Sequence, residues 1–178
     1  MAFDYKLIDS AVVELQTLLE ALPIIGKAYG VSEIQYVRKD KNEYTYPAIR
    51  VNDHDYINLF PDHNLGNYTF FTVRDTIEVQ KDYKAAINLD FKTSLTCVIH
   101  MDKAYGVDAD ERTIYNPIDD VLSVLSQYKL LRVESIEKDP KNVFSGYSTR
   151  DIDVKYYMHP YSVFKFNFNM RVNTLSNC

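Results

Sequence analysis

The richest group of ligand-type side chains lies in "NDHDY" and "PDHN": Asp53, His54, Asp55, Asp62 and His63 fall within eleven residues. Carboxylates and imidazoles are proper ligands for a divalent ion. The spacing, however, is neither H-E-x-x-H nor C-x-x-C, and Asn, Asp and Pro-Asp are turn formers, so two solvated turns account for the same residues. Other chemistries have less to stand on. Five scattered glycines make neither G-x-G-x-x-G nor G-x-x-x-x-G-K-[ST], and there is no G-x-S-x-G. Cys97 sits in an apolar row and reads as a small core residue, while Cys178 ends the chain, so no disulfide framework is expected and a reducing compartment suits both. Asp108, Asp110 and Glu111 read as a solvated loop, Asp119 and Asp120 as the acidic first turn of a helix, and His100 and His159 as single histidines at strand ends. No catalytic residue, cofactor or resident metal is assigned, and the expectation is a chain that is not an enzyme.

The segment "VFKFNFNMRV" interleaves aromatic and basic residues, as single-strand nucleic-acid binders do. Here Phe164, Phe166, Phe168, Met170 and Val172 share one face and Lys165, Asn167, Asn169 and Arg171 the other. Rings turned away from the cations make a core, not a stacking platform. A formal charge of -5 also argues against general affinity for nucleic acid. What the polar row faces, with two amides, two cations and no acid, is the open question of that strand.

The elements that must hold these residues read as follows. Leu7, Ile8, Ala11, Val12, Leu15, Leu18, Leu19 and Leu22 recur at helical spacing, with Asp4 or a neighbour as cap and Pro23 as the stop. Strands are expected at residues 33–38, in "YTYPAIRV", where Pro47 argues for an edge or an interrupted strand, and in "DYINLF". Residues 61–84 form a long loop or excursion that has room for a strand at "YTFFTV". "INLDFKTSLTCVIHM" alternates without a break; at about 3.3 Å per residue it spans roughly 50 Å, so it bends across the domain or projects beyond it. Asn116 as N-cap, Pro117 at the first position and Ile118, Val121, Leu122 and Leu125 predict a short amphipathic helix. "KLLRVESI" is a strand, residues 137–150 a second long loop, and "DIDVKYYM" and "VFKFNFNMRV" a closing hairpin through "HPYS".

With 178 residues, 46% hydrophobic and 25% charged, fifteen Tyr and nine Phe, the chain suits one domain with a real core and a strand-rich fold. The expected class is α+β: an antiparallel sheet with the N-terminal and mid-chain helices packed on one face, and long loops. No signal peptide is visible at "MAFDYKLIDS", and no apolar run is long enough for a membrane span.

This order of elements resembles the tail-terminator (tail-completion) and neck proteins of tailed bacteriophages. The likeness is carried by the N-terminal amphipathic helix, "YPAIRV", "DYINLFPDHNLGNYTFF", the single helix "NPIDDVLSVLSQ" and the final strands ending "FKFNFNMRVN". The resemblance implies a structural protein of the virion, with no enzymatic activity and no membrane. It implies a homo-oligomeric ring, a hexamer or dodecamer, at the head–tail junction. Portal, neck and tail proteins would be its neighbours, and genomic DNA would pass through without sequence-specific contact. A tail-tube or other tail ring protein shares much of the pattern. A non-viral α+β ligand- or peptide-binding domain, with the Asp53–His63 cluster as its site, is the reading from a different class. Under the ring reading, Tyr68, Phe70 and Phe71 anchor an interface loop, and Lys165, Asn167, Asn169 and Arg171 face an adjacent subunit or the next ring; a solvated outer face is the alternative for that row.

Overall fold

The computed structural model describes residues 6–39, 42–52, 55–62, 64–81, 87–106 and 115–174. The fold is α+β, built on two sheets. Helix α1 (Lys6–Glu20) leads into β1 (Lys27–Val31), β2 (Glu33–Lys39), β3 (Asn42–Arg50) and β4 (Tyr56–Asn58). Two long strands follow, β5 (Tyr68–Lys81) and β6 (Ile87–His100), then α2 (Met101–Tyr105) and α3 (Tyr115–Gln127). The chain closes with β7 (Leu131–Glu137), α4 (Pro140–Val143), 3-10 turns at Thr149–Asp151 and Val154–Tyr157, and β8 (Tyr161–Thr174). The larger sheet has the order β1-β5-β6-β8-β7 and the smaller β2-β3-β4. All pairings are antiparallel except β1 with β5.

Strand alternation splits the interior into two cores. On one face of the large sheet, Phe71, Phe91, Leu95, Cys97 and Ile99 and the row Phe164 to Val172 meet Ile8, Val12, Leu15 and Leu19 of α1 and Ile118, Val121, Val124 and Leu125 of α3. The two helices share one face, as their single apolar stripes require. Tyr68, Phe70, Val98 and Val163 point the other way and are covered by Leu59, Val143, Phe144, Ile152 and Tyr156. The segment between β7 and β8 thus forms a second layer over one end of the sheet.

Several elements differ from what the sequence predicts. Residues 61–84 are not chiefly a loop: from Tyr68 they are a fourteen-residue strand beside β6. Its alternation is broken where five residues of β5, Val73 to Ile77, run against three of β6, Thr93 to Phe91, and a bulge of this kind hides a strand from a period-two reading. The loop 137–150 contains α4, capped by the Asp139 carboxylate, which accepts the Lys141 N–H at 3.0 Å. "DIDVKYYM" is a 3-10 turn rather than a strand, because Asp153 takes the Lys155 N–H at 3.1 Å and the turn delivers Tyr156 to the second core. Without that strand, "HPYS" is a connection into β8 and not a hairpin turn. Helix α3 starts at Tyr115, so Asn116 lies inside its first turn; Pro117 is tolerated there because the first four N–H groups of a helix have no partner within it. Asp4 lies outside the described residues.

Pro47 sits in the central strand of the small sheet, at the point where the ladder is interrupted. Leu59 donates its N–H to the Pro47 carbonyl at 2.8 Å, but a proline has no N–H to return. The Tyr68 hydroxyl takes that role, donating to the Leu59 carbonyl at 3.0 Å. Beyond Pro47, β3 changes partner: Thr45 donates its N–H to Ser148 Oγ at 3.0 Å and accepts the Ser148 N–H at 2.8 Å.

Candidate assembly surface

The aromatic anchors expected at an interface are in the core instead. Tyr68, Phe70 and Phe71 are each 0% exposed, Phe71 in the first core and the other two in the second. Three rings in four positions is the signature of a strand buried on both faces, and the excursion they were assigned to is β5. Burial pushes the Tyr68 phenol well above its usual pKa, so it acts as a neutral donor.

The polar row of β8 is answered largely within the chain. Lys165 is buried, and its ammonium donates to the carbonyls of Asn142 at 2.6 Å and Val143 at 3.0 Å, with Ser145 Oγ at 3.4 Å. Desolvation lowers its pKa, with Glu137 across the ladder acting in the other direction. Lys165 therefore holds α4 against the sheet and does not face another subunit. Asn167 donates to Ser135 Oγ at 3.0 Å and Asn169 to Glu134 Oε1 at 2.7 Å. Arg171 clamps Asp90 through Nε at 2.7 Å and Nη2 at 2.9 Å, and this lowers the Asp90 pKa. The acids missing from the row's own sequence come from the flanking strands. Asn167 and Asn169 are half-buried and Arg171 is exposed, on a polar stretch of sheet shared with Thr72, Lys92 and Ser94.

The other candidates carry little chemistry. Asp53, His54 and His63 lie outside the described residues. Asp55 accepts from Asn52 Nδ2 at 2.6 Å and Asp62 from the Asn64 N–H at 3.3 Å, both as exposed turn residues. Among the described residues no group of three His, Cys, Asp or Glu side chains is placed to hold a metal. His100 and His159 share an open groove of about 360 Å³ with Lys103, Lys155 and Tyr161. There His159 Nε2 stands 3.7 Å from Asp102 Oδ1, and burial with Lys103 nearby lowers the His100 pKa. Lys155 is paired with Asp153 at 3.0 Å. The Cys97 thiol is fully buried, which raises its pKa and makes it inert.

The feature that sequence reasoning passed over is the outer edge of β2. The edges at β1, β7 and β4 are managed. The outer side of β1 is closed by α1, whose Gln16 Nε2 donates to the Ala28 carbonyl at 2.7 Å while Glu20 Oε1 accepts the Ala28 N–H at 3.1 Å. Strand β7 is kinked by a register shift between Val133 and Ser135, and β4 is three residues long. Strand β2 is seven residues long, pairs in unbroken register with β3, and has neither a proline nor a bulge.

Its bonding direction follows from the interruption in β3. Antiparallel pairs alternate between those that exchange both hydrogen bonds and those that exchange none. Pro47 and Thr45 turn their backbone groups toward Leu59 and Ser148, away from β2. The residues opposite them, Ile34 and Tyr36, therefore point their own N–H and C=O outward, and Arg38 follows by the same alternation. Three donors and three acceptors line an edge for which no partner is found among the described residues. The strand's apolar side chains are also in water: Ile34 is 46% exposed, Tyr36 63% and Val37 43%.

No protein-family model matches the chain, and no curated protein matches it.

Proposed function

We propose that the chain is a structural subunit of a homo-oligomeric ring, of the kind that stands at the head–tail junction of a tailed bacteriophage and surrounds the DNA exit channel. The observation that carries this reading is the outer edge of β2. A seven-residue strand with its backbone groups and three apolar side chains in water is a liability in a free monomer and a contact in an assembly. Two further features support it. The order of elements resembles that of the ring proteins named above, and both helices lie on one face of the large sheet. The net charge of -5 suits a passage that DNA must cross without adhering.

Because the same edge accepts an extended peptide by strand addition, capture of a foreign peptide is the second reading. Imaging separates them. Negative-stain images of the purified chain are expected to show closed rings with a central hole, a hexamer of the 20.7 kDa chain being about 124 kDa. Monomers that bind an extended peptide along β2 would replace the ring reading with the second.

A further inference from the structure

The open edge of β2 is built to pair with itself. We infer that two copies of this chain join through β2 in an antiparallel, two-fold contact centred on Tyr36, which makes one six-stranded sheet from two small sheets. The inference rests on the self-assembly reading; a two-fold contact joins copies only in pairs, so a closed ring needs a second, different interface alternating with this one.

The register follows from the bonding direction. In an antiparallel pair, outward-pointing residues must face outward-pointing residues. Ile34, Tyr36 and Arg38 are the outward residues of β2. The register that places Tyr36 opposite the partner's Tyr36, and Ile34 opposite the partner's Arg38, uses every outward donor and acceptor of both strands. Shifting by two residues in either direction leaves some of them unpaired. At the centre, two tyrosine rings that are 63% exposed in the single chain lie against each other on one face of the joined sheet.

A two-fold axis makes a sharp geometric prediction. Directly opposed residues of a bonded antiparallel pair have their Cα atoms about 5.5 Å apart, inside the disulfide range of about 4.4–6.8 Å. The two Arg38 residues would be roughly 14 Å apart, four strand residues along, and beyond that range.

The test uses the full chain with Cys178→Ser to remove the terminal thiol. Tyr36→Cys under mild oxidation is expected to give a covalent dimer at twice the 20.7 kDa chain mass, and Arg38→Cys is not. Tyr36→Pro removes an outward N–H for which no partner is found among the described residues. It is expected to melt as the parent does but to lose the two-fold contact. Rings in the images with no Tyr36→Cys cross-link would overturn this contact and leave the ring reading standing. A monomer by mass with no cross-link would overturn both. Cross-linking of Arg38→Cys as efficient as that of Tyr36→Cys would refute the register.

Discussion

Tyr68→Phe removes one oxygen and tests how the small sheet is joined to the large one. The Tyr68 hydroxyl is buried and donates at 3.0 Å to the Leu59 carbonyl, which Pro47 leaves without its ladder donor. Phenylalanine keeps the ring in the second core, between Tyr29 and Phe70, and strands one buried acceptor. Leaving such a group unpaired costs about 1–2 kcal/mol. For a chain of this size that is a fall in melting temperature of about 2–8 °C. The companion variant Pro47→Ala restores an N–H aimed at the same carbonyl, since Leu59 and residue 47 already face each other across the ladder. Pro47→Ala alone is destabilising, because it frees the unfolded chain and trims a buried ring. In that background Tyr68→Phe is expected to cost less, by about 0.5–1 kcal/mol, measured as a coupling energy from urea midpoints of the four proteins. Equal cost in both backgrounds, or a Tyr68→Phe melt within about 1 °C of the parent, would refute the claim that the tyrosine substitutes for the proline's missing donor.

Lys165→Met is expected to lose about 1–3 kcal/mol, because the Val143 carbonyl loses its ammonium donor and the Asn142 carbonyl is left with the Ser145 N–H at 3.2 Å. Since the native Lys165 pKa lies below its ordinary 10.5, the native state releases that proton first; the stability gap between parent and variant should widen as pH rises through the native value toward 10.5, read from urea midpoints across the alkaline range. Asp90→Asn should cost only about 0.5–1 kcal/mol at neutral pH, as Arg171 is 45% exposed. The native Asp90 pKa is depressed below 3.8, so the pair's contribution is present above that value and lost as pH falls through the native one; the variant's acid unfolding curve should lack that part. Phe71→Ala is expected to cost about 3–5 kcal/mol and to lower the melt of the single chain itself, not merely to dissociate an assembly, because the ring lies in the first core.

The parts of the fold legible in the sequence are those with an unbroken period. Helices α1 and α3 show their apolar stripes, and β6 and β8 alternate from end to end. The start of β5 is legible as the strand at "YTFFTV"; its bulge hides the continuation to Lys81, and its aromatic rows read as an interface loop because a strand buried on both faces does not alternate. The 3-10 turn at Val154–Tyr157 read as a strand because Val, Tyr and Tyr are strand formers; the Asp153 cap decided otherwise. The polar row of β8 gave no sign of its partners, since Asp90, Glu134 and the Asn142 carbonyl come from distant parts of the chain. The open edge of β2 was invisible for the same reason. Pro47 reads as a breaker, but which way it turns the backbone of β2 depends on Leu59 and Ser148, and only the folded chain brings those to β3.

The measurement that tests the central claim most directly is sedimentation of the purified chain over a wide concentration range. The account predicts a discrete species several times the 20.7 kDa chain mass, formed cooperatively, and its loss on Tyr36→Pro with the single-chain melt preserved. A particle that remains at 20.7 kDa at the highest concentration, with β2 still exposed to the solvent, would contradict it.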